Sequence, residues 1–315
     1  MTQDEYIYMG TVDDSQRFGM GWIPDLPDFR DYTVKYDKVS QRLRALGQKD
    51  SINTMLKKVG ILEPVGEGTL PTSVDLRQWC SPIENQGSIN SCTANAGVGL
   101  VEYYERRAFG RHIDASRLFL YKTTRNMLKW TGDYGANLRT TMGAMTLFGV
   151  PPEEYWPYNT ANVNVEPTSF CYAFADNYKA IQYLRLDPPG TSKDVLLDTV
   201  KTDLVAGLPS MFGLTLYNSF YQAQTGGKIP LPCQTDYVIG GHGLITVGYD
   251  NNIVITNTNC GSDTTGALLI RNSYGKGWGD SGYGWLPYNY ITNGLAVDWW
   301  TLLKNEWVDT GQFKF

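Results

Sequence analysis

The period at which apolar residues recur changes once along this chain, and that change limits the fold more than any other feature. Between about Ser91 and Val150 the spacing is helical. Ala94, Val98, Val101 and Ala108 share one face, Arg106 and Arg107 fall where a helix dipole favours cations, and Gly110 supplies a stop. Leu138, Met142 and Met145, followed by Gly149 and two prolines, repeat the pattern. Later, Gly243 to Tyr249, Asn252 to Thr258 and Ala267 to Arg271 are β-branched or alternating runs separated by Gly, Asn and Asp, as antiparallel strands require. Helices followed by strands predict an α+β fold, not the alternation of a βαβ sheet. With 42% apolar and 19% charged residues, 315 positions suffice for one or two domains with a sizeable core. The 33 glycines, 15 prolines and 13% aromatics favour turns and short strands over a helical bundle.

Residues 1 to about 70 read differently. Gly21 to Asp28 holds two prolines and a tryptophan, which predicts an extended segment lying on something else. Val39, Leu43 and Leu46, then Ile52, Met55, Leu56 and Val59, recur at helical spacing, with Ser51 as an N-cap and Gly60 as a stop. Two small surface helices are the plain expectation. Leu62 to Leu70 is a short linker rich in Gly and acid, and marks the best domain boundary.

Charge and composition exclude several classes of function. Lys plus Arg number 27 against 32 Asp plus Glu, a formal net charge of −5, so no basic field draws in nucleic acid or anionic lipid. No stretch approaches the roughly 20 apolar residues that cross a bilayer, and Met-Thr-Gln-Asp-Glu lacks a signal peptide's n- and h-regions. A cytoplasmic protein, or one secreted by a route independent of a signal peptide, is expected. The five cysteines (Cys80, Cys92, Cys171, Cys233, Cys260) include no Cys-x-x-Cys pair, so no zinc ribbon or dithiol site is indicated. With Cys92 free, the others allow three pairings, and a reducing cytosol would leave all of them open; Cys233 with Cys260 is the favoured one. Only His112 and His242 can supply imidazole chemistry.

Cys92 follows the polar turn Asn85 to Ser91 and opens the first helix of the middle third. There a thiol faces unpaired backbone N–H groups and the positive end of the dipole, which favour thiolate. By itself such a cysteine is more often a small buried hydrophobe. Gln86, six residues earlier, can turn its amide toward the thiol and donate to an oxyanion. His242 sits among Gly240, Gly241 and Gly243 at a strand mouth, with room for a substrate, and Asn272 closes the next strand, where its amide oxygen can fix the imidazole tautomer. A turn histidine at a strand end is the bland alternative. Gly275-x-Gly277-x-Gly279 is not a phosphate loop, because no Gly-Lys-Ser/Thr follows.

Gln, Cys, His and Asn in this order and these contexts resemble the papain-like cysteine peptidases, the cathepsin superfamily. Gln86 to Cys92 looks like the family's oxyanion-glutamine and nucleophile segment, and Asn272 to Gly279, running on to Tyr283, like its asparagine motif. Val74 to Arg77 resembles the opening of the mature enzyme, and Gly135 to Val150 the wall-and-helix segment, so the likeness extends from about Leu70 to Tyr290. Ser91 to Asn95 and Pro24 to Asp28 are closest to bacterial members. The resemblance implies a helical lobe (about 90–170) and an antiparallel β-barrel lobe (about 175–300), with Cys92 and His242 facing across a cleft as an ion pair. Cys92 would attack a peptide carbonyl, His242 would move the protons, Asn272 would orient His242, and Gln86 with the Cys92 N–H would hold the oxyanion. Gly135, Ala136 and Gly241 would line the substrate wall, Tyr274 and Trp278 would shield the site, and no metal or organic cofactor is called for.

This sequence departs from the pattern at several places. Ile89 stands where plant and animal enzymes have a disulfide cysteine, Thr93 replaces an aromatic, and Tyr274 replaces a tryptophan. His242 and Asn272 are 30 positions apart, with the extra length around Thr256 to Gly266, which suggests an enlarged hairpin. His112, beside Arg106, Arg107 and Arg111, reads as a solvated surface residue. Residues 1–70 before the mature-like start read as a latent enzyme's inhibitory segment whose extended part covers the cleft, with 71–315 as the peptidase domain. The alternatives are a permanent brace and, for the whole chain, a catalytically silent module holding a peptide or small ligand; retention of all four site residues argues for the enzyme.

Overall fold

The computed structural model describes residues 19–29, 31–34, 38–61, 70–179 and 182–313. The extended strap formed by residues 19–29 lies along a groove and is followed by α1 (Gln41–Ala45) and α2 (Ile52–Lys58). The predicted cap is present: Ser51 Oγ accepts from Thr54 N–H at 3.2 Å, and Gly60 follows in the left-handed region. α2 is no surface helix. Ile52, Met55, Leu56 and Val59 are all buried in the main core, because the chain ends of two other elements close over them. Gln48 donates to Gln182, and Asn305 Oδ1 takes the N–H groups of Lys49 and Asp50. The linker 62–69 lies outside the described residues.

β1 (Ser73–Asp75) leads to the long helix α3 (Cys92–Phe109), which ends as its sequence demands: Gly110 has φ of 72° and donates its N–H to Arg106 O. α4 (Arg117–Leu128) and α5 (Leu138–Leu147) are capped by Ser116 and Asn137, pack against α3, and complete the helical side with α6 (Ser169–Ala175). The remaining chain builds a sheet from β2 (Gln182–Arg185), β3 (Ser210–Tyr217), β4 (Val238–Asn257), β5 (Ser262–Arg271), β6 (Tyr283–Pro287) and β7 (Ala296–Leu303). Helices α7 (Lys193–Val205), α8 (Asn289–Thr292) and α9 (Asn305–Val308) interrupt it.

Every ladder is antiparallel, in the order β2-β7-β3-β4-β5-β6 with β1 beside β4. The α+β class stands, but the expected barrel does not close. Each terminal strand finds another partner: Arg185 N–H of β2 bonds Tyr32 O of the N-terminal segment, and Trp285 of β6 exchanges bonds with Gly227 and Ile229. The two runs read separately at 243–249 and 252–258 are one strand, because β5 pairs both halves and a bulge between Asp250 and Val254 absorbs the polar break. The hairpin of β4 and β5 carries the expected disulfide, Cys233–Cys260, near its tip, whereas Cys80, Cys92 and Cys171 are free and buried.

Candidate active site

The first turn of α3 meets the start of β4. A Cβ on Gly243 would lie 3.4 Å from Thr93 Cα and 3.5 Å from the Cys92 carbonyl carbon, ordinary contact distances that place the strand directly against the helix end. The backbone around the thiol, that of Gly243, Gly21, Thr93 and Cys92 itself, works to lower its pKa, against the larger effect of burial. The helix end is free to serve the sulfur because Ser91 makes no side-chain cap; its hydroxyl is shared with Tyr158 (2.6 Å) and Asn95 (3.0 Å) instead. His242, the residue before Gly243, sits opposite Leu214 in the sheet and is fully buried. Its Nε2 is 2.8 Å from Asn272 Oδ1, which fixes the proton on Nε2, since the amide oxygen accepts only. Nδ1 makes no hydrogen bond among the described residues. Tyr274 stacks on the imidazole with centroids 4.7 Å apart, and Trp278 backs Tyr274 edge-on at 6.3 Å.

Gln86 is tied to the asparagine motif from both ends. Its N–H donates to Ser273 O, and the Ser273 hydroxyl donates to Gln86 Oε1 at 2.6 Å, leaving the Nε2 donors turned the other way. One of them reaches Gly19 O at 2.9 Å, which Tyr274 OH also contacts at 3.3 Å. The strap continues over the expected wall. Ala136 donates to Gly21 O (2.7 Å) and accepts from Ile23 N–H (3.0 Å), and Trp22 N–H donates to Gly241 O (3.2 Å). Gly135 leaves the space this needs: a Cβ there would be 2.1 Å from Gly21 O. The four expected catalytic residues and the three wall residues are thus gathered at one groove, and residues 19–23 of the same chain fill it.

A family model described as papain family cysteine protease matches residues 70–299. The chain belongs to that family. An uncharacterized peptidase C1-like protein of Acanthamoeba polyphaga mimivirus is 30% identical over 302 residues, 93% of this chain and 89% of the relative. Xylellain, a cysteine protease from Xylella fastidiosa, matches at 29% identity with a TM-score of 0.67, over 93% of this chain and 98% of xylellain. The ragweed pollen cysteine protease Amb a 11, solved in its proform, is 21% identical with a TM-score of 0.58 over 76% of this chain and 69% of its own, and so shares the fold alone.

In this papain-family cysteine peptidase burial dominates the electrostatics of the site. Burial pushes the Cys92 thiol up to about 11 and holds His242 down to about 4, despite the help of Asn272. Desolvation thus works against the charged form of each group while the groove is covered. His112 is half-buried, not the fully solvated surface residue expected of it. Sequence reasoning missed Ser273, whose place directly after Asn272 was the available signal. It also missed Tyr158, whose hydroxyl donates to Gln86 O at 2.9 Å and whose ring lies 4.0 Å from the Arg117 guanidinium. No local pattern marks that residue, because its hydrogen-bond partners Ser91 and Gln86 are more than sixty positions away.

Proposed function

We propose that the peptidase cuts peptide bonds by nucleophilic attack of Cys92, with His242 as general base and acid, Asn272 as its orienter, and Gln86 Nε2 with the Cys92 N–H as oxyanion donors. The observation that carries this reading is the bond from Gln86 Nε2 to Gly19 O: a peptide carbonyl already rests on the donor an oxyanion would use. Attack requires the thiolate, so Cys92 must first pass its proton to His242 Nδ1, the imidazole nitrogen that Asn272 does not engage. The protonated imidazole then gives that proton to the leaving amine, and the neutral ring activates the water that releases the acyl group.

The strap is the enzyme's intramolecular inhibitor in this reading. It pairs with Ala136 in the parallel sense, presenting its peptide groups backward relative to an antiparallel substrate, and it removes the water that the thiolate–imidazolium pair needs. A family neighbour solved as a proform supports a precursor. Only the strap has to leave the groove, since α2 is part of the core. The disulfide favours an oxidising compartment, and so export over the cytosol.

Iodoacetamide labelling of the full-length chain, read at Cys92 by peptide mass, tests both statements. Wild type should label slowly, and Gly21→Ala should label fast and gain peptide hydrolysis, because a Cβ at Gly21 would be 1.9 Å from Asn90 O and unseat the strap. Fast labelling without hydrolysis would favour the silent binding module.

A further inference from the structure

Trp22 is the deepest side chain of the strap, 3% exposed. Its indole fills a slot whose sides are glycine backbone: a Cβ on Gly213 would fall 1.9 Å from the ring, and one on Gly241 3.0 Å from its edge. At the floor the indole Nε1–H donates to Asp298 Oδ2 at 3.1 Å. Asp298 is itself buried, with φ of 61°, where β7 slips register against β3 between the pairs Met211↔Trp300 and Gly213↔Val297. A bulge there turns one side chain out of the strand's alternation, and here it turns a carboxylate to the bottom of the slot.

From that floor a chain of alternating charge runs to the rim. Asp298 Oδ1 takes Trp300 Nε1 at 2.7 Å and lies 3.3 Å from Arg185 Nη1; Arg185 also lies 3.5 Å from Asp31. Asp31 accepts from Arg139 Nε (2.7 Å) and Nη2 (2.9 Å), and Arg139 further bonds Asp25 and, at 2.6 Å, Leu26 O. All three of these Arg139 partners belong to the N-terminal segment. When it lifts, Asp298 keeps Trp300 and Arg185 but loses the Trp22 donor, and Arg139 loses Asp25, Asp31 and Leu26 together. A buried acceptor and a rim guanidinium are then left facing the groove.

Resting on the peptidase reading above, we propose that these two groups set the substrate class. The slot takes a planar side chain ending in an N–H donor, tryptophan above phenylalanine or leucine, and Arg139 takes a carboxylate beyond it, on the side away from Cys92. A slot that hydrogen-bonds its occupant rejects an analogue without the donor, because the buried acceptor is left short of a partner. A guanidinium fork bonds a carboxylate through two donors, as Arg139 does with Asp31.

The test uses the full-length chain carrying Gly21→Ala to unseat the strap, with Trp22→Ala, Asp25→Asn and Asp31→Asn so that neither site is refilled, and keeps Asp298 and Arg139. Matched peptides vary Trp, Phe and Leu at the slot position, and Asp, Asn and Lys beyond it. Two readouts are taken, kcat/KM and the slowing of Cys92 alkylation by bound peptide. Trp should exceed Phe by roughly tenfold or more in both. Asp should exceed Lys by roughly three- to tenfold, and adding Arg139→Glu should reverse that order. Equal Trp and Phe in both readouts, or an Asp-to-Lys ratio unmoved by Arg139→Glu, would overturn the inference. Discriminating protection without hydrolysis sinks the peptidase reading and leaves this one; hydrolysis without discrimination does the opposite.

Discussion

Single side chains decide how the site is held and how it responds to pH. Ser273 holds the Gln86 amide by its oxygen, so Ser273→Ala should let the amide turn and weaken the oxyanion contact more than substrate binding. In the activated enzyme kcat should fall by roughly tenfold with KM little changed; a loss carried by KM alone would contradict that role. Asp203 on α7 shows a different effect. Burial raises its carboxyl to about 8, far above its unfolded value of 3.8. The folded form therefore holds a proton that the unfolded form has released, and stability is full below pH 4 and lost as pH rises toward 8, by roughly 2–5 kcal/mol. Thermal melts from pH 4 to 8 should show a smaller decline for Asp203→Asn than for wild type. An identical decline would place the pH dependence elsewhere. His242 works in the opposite sense: held down to about 4, it withdraws stability as pH falls from 6.5 toward 4.

At the scale of elements, the strap and α2 behave differently although both precede the family match. The strap is seated by backbone bonds, one indole and the Arg139 guanidinium; α2 is seated by four buried apolar side chains. Met55→Ala should cost about 2–5 kcal/mol in chemical denaturation, as core truncations do; a cost under about 0.5 kcal/mol would mark α2 as a surface element after all. The helix over this segment is legible from spacing and from Ser51, but its burial is not, because the partners that close over it, β2 and α9, lie more than 120 positions further along the chain. The β4–β5 hairpin makes the same point. Its enlarged size was readable in the count between His242 and Asn272, while its single continuous strand was decided by β5 pairing across the bulge. The Cys233–Cys260 bond ties the segment leading into His242 to that hairpin, and Cys233→Ser should cost about 2–4 kcal/mol under oxidising conditions and nothing extra in reductant.

The whole molecule is a peptidase built around a groove that its own chain occupies, and the proposed latency would follow from the order of its parts. Truncation after residue 34 should leave a folded protein with a labelled, active Cys92, whereas truncation after residue 61 should expose the α2 contact surface and lower the melting temperature or cause aggregation. Circular dichroism and labelling of the two truncations, compared with the full chain, check this; equal folding of both would make residues 38–61 dispensable. The amino-acid sequence by itself determined the α+β class, the helix that presents Cys92, the identities of Gln86, His242 and Asn272, and the extended character of the strap. These follow from local period, capping and short motifs, which act between neighbours. Only the tertiary structure decided that the sheet stays open, that α2 is core, that Asp298 floors the Trp22 slot, and that burial works against charge on thiol and imidazole. Each of these depends on which distant segment excludes water or completes a hydrogen bond, and that is set by packing across the chain, not by any run of adjacent residues.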